Sequence, residues 1–411
     1  MEIHELESCL VFIPLSTKRN KTLDQYSIEQ WQLIIFTMMK NPNVGVAWLD
    51  CAARVIIYAA NYLDFDGNPC VGGRQRFIRD IALLIKEWGR EVVVVQKANS
   101  SFEKLCPVGI TVIGIKANIS AKGDVLFARR AARFAQPGDV FLYASGEDAW
   151  PFFADNSKSI QHGIWWDGPQ NLRIRVVQRI RALGMMRSVR SVLCVDTNFI
   201  NWLRCLGSEG YALANKCEYV PNYADLSKVS VSERDVNDRL AIISARRYEL
   251  KRGADLLMDA LGILKSTGLD FEAHFSTAGG VDELTRRARQ IGLDEQVSVS
   301  EDSMDEVLSR YRDFHVAVVP TLWSEGTSLA CVEAIAAGLA VVCTPVGGLG
   351  NLVFPGFNGN VVPPTAERIA EALYQCSDKV ALASMRAGSL SMRDSLGMDQ
   401  WKKTVLSWLT R

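Results

Sequence analysis

Two glutamates, Glu325 and Glu333, stand eight residues apart, with Gly326, Thr327 and Ser328 directly after the first. The second is the only polar side chain between Leu329 and Cys343. A helix apolar on every side is a buried one, and a lone carboxylate in it costs on the order of several kcal/mol unless something pairs with it. The glycine and the two hydroxyls predict a flexible turn and a capped helix start. That puts Glu325 at a mouth and Glu333 about two turns, roughly 12 Å, further in. Acids at that spacing can grip two ends of one elongated ligand, and the helix N-terminus between them offers N–H groups and partial positive charge to a phosphate. The alternative is a capping acid followed by a buried glutamate paired with an arginine.

Cations of matching purpose lie upstream. Ser244 to Gly253 carries Arg246, Arg247, Lys251 and Arg252 between an expected strand and helix. Arginine suits the bidentate geometry of a diphosphate, although a solvated basic loop would look the same. Gly72 and Gly73 follow the first strand of the regular pattern and let backbone approach a ligand, or simply turn the chain; G-x-G-x-x-G is absent. His162 ends a strand, where an imidazole can hydrogen-bond a reacting group or serve structure alone. Residues 171–190 hold six arginines (173, 175, 179, 181, 187, 190) and no acid among apolar residues. This segment reads as a basic amphipathic helix for an anionic membrane or lipid-linked substrate, or as a plain basic surface helix.

The elements that must position these residues alternate regularly. From Arg54, strands and helices follow one another to about residue 220; a polar stretch over 227–238 reads as a linker, and the rhythm restarts at Leu240. The expected fold is α/β, with two doubly wound parallel-sheet domains facing a cleft, and ligands bind beyond the carboxyl ends of such strands. Residues 1–50 stand apart, with an expected helix over 28–40.

Lysine plus arginine equal aspartate plus glutamate at 46 each, which argues against a dedicated nucleic-acid binder. Ten scattered cysteines without C-x-x-C suggest a reducing cytoplasm, and four separated histidines make a His/Cys metal site an unpromising expectation. The acidic, mixed N-terminus does not read as a signal peptide, and no apolar run reaches the roughly 20 residues of a membrane span.

Glu325 to Glu333 resembles the E-x7-E motif of retaining GT-B glycosyltransferases, in particular glycosyltransferase family 4. Gly347-Gly348 and Asn358 to Pro364 continue the match, Val220 to Asp225 resembles the family's P-N-x-x-D hinge, and Ser244 to Gly253 its donor-phosphate segment. The resemblance runs from about residue 54 to the end and is sharper in the second half. It implies two Rossmann-like domains, an acceptor domain over 51–226 and a nucleotide-sugar donor domain over 238–395, with a C-terminal helix over 396–411 returning toward the first. It also implies that Glu333 holds the donor ribose and Glu325 the sugar hydroxyls. The backbone of Gly326, Thr327, Ser328 and Leu329, with Arg246, Arg247, Lys251 and Arg252, would neutralise the diphosphate. Gly72 and Gly73 would lie near the phosphates and His162 near the transferred sugar. The chain departs from the pattern at Arg252, where lysine is usual, and at Asn351, where an acid often follows the double glycine. Gln161 to Pro169, with Trp165 and Trp166, resembles members that build bacterial surface polysaccharides such as lipopolysaccharide.

The function expected is a cytoplasmic, metal-independent, cofactor-free retaining hexosyltransferase, peripheral to the membrane through 171–190. It would move sugar from a nucleotide-diphosphate donor to a glycan or lipid-linked acceptor. A GT-B nucleotide-sugar epimerase and a non-catalytic scaffold subunit are the alternatives. The base, sugar, linkage, acceptor and oligomeric state have no signature in the sequence.

Overall fold

The computed structural model describes residues 48–411 apart from 71, 119 and 145. The expected helix over 28–40 lies outside the described residues. The first domain is built on β1 (Arg54–Ala59), β2 (Glu91–Ala98), β3 (Phe102–Leu105), β4 (Thr111–Lys116), β5 (Asp139–Tyr143), β6 (Lys158–Gln161), β7 (Ser191–Cys194) and β8 (Cys217–Tyr219). Their spatial order is β3-β4-β2-β1-β5-β6-β7-β8, and the one antiparallel pairing is β3 with β4. Runs such as Val92–Val95 are buried on both faces, as a central parallel strand requires.

The second sheet comprises β9 (Leu240–Ala245), β10 (Phe271–Ser276), β11 (Val297–Ser300), β12 (Val316–Val319), β13 (Ala340–Cys343) and β14 (Gly359–Val361). It is parallel throughout, in the order β11-β10-β9-β12-β13-β14. That is the doubly wound arrangement, and the direction of strand addition reverses between β9 and β12. The loop after β9 carries Arg246, and the loop after β12 carries Glu325. In the first sheet the corresponding switch lies between β1 and β5; the loop after β1 ends on Gly72, and Gly73 opens the helix that follows.

Each sheet is covered on both faces. Trp48 and Leu49 are fully buried in the first domain's core, which therefore begins inside the stretch assigned to the extension. The helix Met398–Thr410 buries Trp401, Val405, Trp408 and Leu409 in that same core, far in sequence from the strands it covers. Three features of the sequence reading need correction. The edge strand β3, the helices Asn198–Arg204 and Gly207–Ala214, and the short β8 and β14 were not anticipated. The buried helix spans only Leu329–Ala336, so Glu333 lies just over one turn inside it and Glu325 outside it altogether. The helix Leu172–Ser188 is not cleanly amphipathic: Arg181 is buried beside Ala182 at mid-helix, while Leu172 at its first position is 76% exposed.

Candidate active site

One wall of the cleft is assembled by fastening two loops of the second domain together. Gly253 has a positive φ of 75°, and an added Cβ would sit 2.0 Å from the Pro320 carbonyl oxygen, so only glycine fits there. The Leu322 amide donates to the Lys251 carbonyl at 2.8 Å across the same junction. This brings the cations after β9 against the acid after β12.

One oxygen of Glu325, Oε2, accepts from Arg252 Nη1 at 2.7 Å, from the Thr321 hydroxyl at 2.9 Å and from Arg246. Arg246 also donates to Thr321 Oγ1 at 3.0 Å and to Ser328 Oγ. Burial pushes the Glu325 carboxyl up, but Arg246 and Arg252 outweigh it and hold the pKa below its ordinary value. Glu325 is therefore an anion at neutral pH. Arg247 and Lys251 face the cleft less tightly held, sharing Glu249 at 3.7 and 3.1 Å, an acid within the basic loop.

The two hydroxyls expected to cap the Leu329–Ala336 helix do something else. Ser328 occupies the N-cap position without a side-chain capping bond. Thr327 donates to the Val195 carbonyl at 2.8 Å and accepts from the Asn222 amide at 2.9 Å, both in the first domain. The helix start, with Gly326, Thr327, Ser328 and Leu329, lines the cleft, and neither hydroxyl caps it. Inside it, Glu333 is paired with Arg76 of the first domain at 2.6 Å, the arginine pairing that the sequence kept open as an alternative.

The opposite wall comes from the first domain. Gly73 lies where an added Cβ would meet Leu329 at 3.2 Å, and Gly72 is 3.7 Å from an Arg247 nitrogen by the same measure. The double glycine lets the two domains approach. His162 stands edge-on to Phe77 at 5.1 Å, and its Nε2 is covered and makes no hydrogen bond among the described residues. Burial, with Arg74 adding to it, pushes its pKa down to about 3, so the imidazole is neutral.

All thirteen site residues read from the sequence, from Gly72 to Glu333, line one interdomain cleft of about 810 Å³. The structure adds Arg74, Arg76, Glu147, Gln161 and Asn222 to that lining, and Asp196 behind it. Arg76 carried one faint signal, its place one turn beyond Gly72 at a helix start. Asp196 sits just after β7, a strand end like the others, but nothing in its neighbours marked it. No group of three or more metal-ligating side chains occurs among the described residues. No described helix is long and apolar enough to cross a membrane.

Over 86% of its length the chain superposes on 98% of sucrose-phosphate synthase from Thermosynechococcus elongatus, with a TM-score of 0.71 at 15% identity. The fold is GT-B. Anabaena HepE in complex with UDP-glucose (TM-score 0.67, 15% identity, 87% of this chain and 99% of that one) and WaaG, a glycosyltransferase involved in lipopolysaccharide biosynthesis (0.62, 14%, 87% and 99%), share it. Residues 228–382 match the family model of glycosyl transferases group 1. D-inositol 3-phosphate glycosyltransferase 1 of Catenulispora acidiphila is 32% identical over 184 residues, 41% of this chain and 43% of that protein. An uncharacterized glycosyltransferase of Methanocaldococcus jannaschii is 32% identical over 113 residues, 26% of this chain and 30% of that protein. The chain spans less than half the length of these curated relatives, and the sequence likeness is concentrated in part of the molecule.

Proposed function

We propose that this chain is a retaining, metal-independent glycosyltransferase that moves a hexose from a nucleotide-diphosphate sugar to a glycan or lipid-linked acceptor. The observation that carries the reading is Glu325 held by Arg246 and Arg252 at the switch point of the second sheet, facing the start of the helix that holds Glu333. A diphosphate placed there would take over both arginines and draw in Arg247 and Lys251, the counter-charge its departure needs. Glu325, freed on one side, would accept hydrogen bonds from sugar hydroxyls, and Glu333 from a ribose. In the transfer, the bond from the anomeric carbon to phosphate breaks and the bond to the acceptor oxygen forms on the same face. The acceptor proton passes to the departing phosphate. His162, neutral, contributes a hydrogen bond near the sugar rather than charge. No side chain has to become a nucleophile.

The UDP-glucose bound to Anabaena HepE supports a nucleotide-sugar donor, and the shared fold with WaaG supports a role in bacterial surface polysaccharide synthesis. We further assign the chain to the inner membrane face through the exposed Arg173, Arg175 and Arg179.

The test is a thermal-shift panel of nucleotide diphosphates and their sugars, in which a ligand at 100 times its Kd stabilises by about 2.7 kcal/mol. It is followed by transfer assays with Glu325→Gln. Transfer is expected to fall on the order of 100-fold with the protein still folded, and unchanged turnover would sink the role given to Glu325. Isomer formed from donor alone would instead mean an epimerase, and the absence of nucleotide binding a scaffold.

A further inference from the structure

Two helices begin beside each other across the cleft. Gly73–Glu87 of the first domain and Leu329–Ala336 of the second meet where Gly73 abuts Leu329. About one turn into each stands a charged residue, Arg76 and Glu333, joined at 2.6 Å with side chains 11% and 7% exposed. Arg76 Nη1 lies 2.8 Å from Met304 Sδ, which fixes the guanidinium. Its own-helix neighbour Asp80 is already taken by Arg79 at 2.7 Å and by the Tyr223 hydroxyl, leaving Glu333 as the acid Arg76 serves. The pair uses only Oε1 of Glu333; Oε2 makes no hydrogen bond among the described residues.

We infer that Arg76 is a positioning residue lent by the first domain to the nucleotide site of the second: it keeps Glu333 ionised and leaves Oε2 to accept from the nucleoside. This rests on the nucleotide-sugar reading above and adds a residue which that reading does not require. A carboxylate can accept from both hydroxyls of a ribose diol, whereas a protonated carboxyl has given up part of that capacity. Burial already pushes the Glu333 pKa above its ordinary value, with Arg76 the opposing influence. The other groups facing the pair are Tyr311, a buried phenol that stays protonated, Arg246 beyond it, and Tyr223 and Asp80 on the Arg76 side. Among the described residues Arg76 is the one cation in contact with Glu333, so losing it leaves a buried acid without a counter-ion there, and that acid takes up a proton. Because Arg76 belongs to the other domain, nucleotide affinity is tied to the cleft being closed.

The experiment is calorimetric titration of wild type, Arg76→Met and Arg76→Lys with UDP, GDP and ADP between about pH 6 and pH 8.5, with thermal unfolding as the control for folding. For Arg76→Met, Kd is expected to rise about tenfold or more at the acid end, and the loss to shrink as pH rises and Glu333 ionises unaided. Arg76→Lys is expected to restore most of the affinity and to flatten the pH profile. Arg76→Met binding with wild-type affinity, or with the same loss at every pH, overturns the inference alone. Wild type binding none of the three nucleotides overturns the functional reading and takes the inference with it.

Discussion

Asp196 shows how far a single residue's chemistry can be set by its surroundings. It is fully buried behind the cleft; Oδ1 accepts from the Asn198 and Phe199 amides at 2.9 and 3.3 Å, while Oδ2 is covered and unpartnered among the described residues. Burial outweighs those amide bonds and pushes its pKa from 3.8 up to about 6, with Asp167 and Glu325 adding to the rise. A folded-state pKa above the unfolded one gives stability that is present below the unfolded value and lost as pH rises through the folded value. Ionising Asp196 therefore costs about 3 kcal/mol near neutrality. Asp196→Asn keeps the Oδ1 bonds and removes that cost. Its unfolding temperature is expected to exceed wild type by several degrees at about pH 8 and to match it at about pH 4, as followed by circular dichroism. Equal stability across that range would mean Asp196 is not strained by its charge. The sequence pointed to Glu325, Glu333 and the 246–252 cations because type and short-range spacing carry that information. It could not point to Arg76 as the partner of Glu333, because the two are 257 residues apart.

At the scale of an element, the Leu172–Ser188 helix separates what composition merged. Its six neighbouring arginines looked equivalent, but Arg181 is buried against Asp124 at 3.3 Å and Asp148 at 3.7 Å, and Arg187 is paired with Glu209 at 2.7 Å. Arg173, Arg175 and Arg179 are exposed beside Leu172. Sedimentation with anionic vesicles is expected to lose the protein when those three become alanine, with unfolding altered by no more than about 0.5 kcal/mol. Arg181→Ala is expected to cost about 1–3 kcal/mol through the acids it strands, whatever the lipid. Vesicle retention that survives the triple substitution would remove the membrane assignment. The strands missed from the sequence have physical causes. β8 and β14, with three residues each, are too short to show a period, and β3 carries adjacent opposite charges on an exposed edge. The long, doubly buried strands were legible because nothing else explains so many consecutive Val and Ile residues.

Across the whole molecule, the two domains are held nearly in backbone contact at the cleft floor. Gly163 has a φ of 97°, and an added Cβ would lie 2.8 Å from Gly326 Cα and 2.9 Å from the Glu325 carbonyl oxygen. Asp167 accepts from the Ser324 amide at 3.0 Å alongside. Asn351, where an acid was the usual expectation, accepts from the Thr197 amide at 3.1 Å and donates to its hydroxyl at 2.8 Å. An aspartate at 351 could accept from both the Thr197 amide and its hydroxyl, so nothing in this contact explains the asparagine. Gly163→Ala meets both the backbone strain and the clash. Small-angle scattering is expected to show a larger radius of gyration and kinetics a fall in kcat/KM of about tenfold or more, as misplacement far from the chemistry can produce. An unchanged radius with full activity would show that closure does not depend on this contact. Two parallel sheets and the cleft between them could be read from the strand and helix rhythm, whereas their closeness depends on pairs of glycines that no local pattern joins.

The return of the last helix to the first domain bears on how the chain is born. Lys158, at the start of β6, lies between the Trp48 and Trp408 rings, 5.1 and 4.8 Å from their centroids, and donates to the Trp408 carbonyl near the helix end. At synthesis rates of about 5–20 residues per second, roughly 10 to 40 s separate β8 from Leu409. Throughout that interval the first domain's apolar face has no cover and the Lys158 amine no cap. The first domain's core is thus closed only after the second sheet has been made and has had time to form.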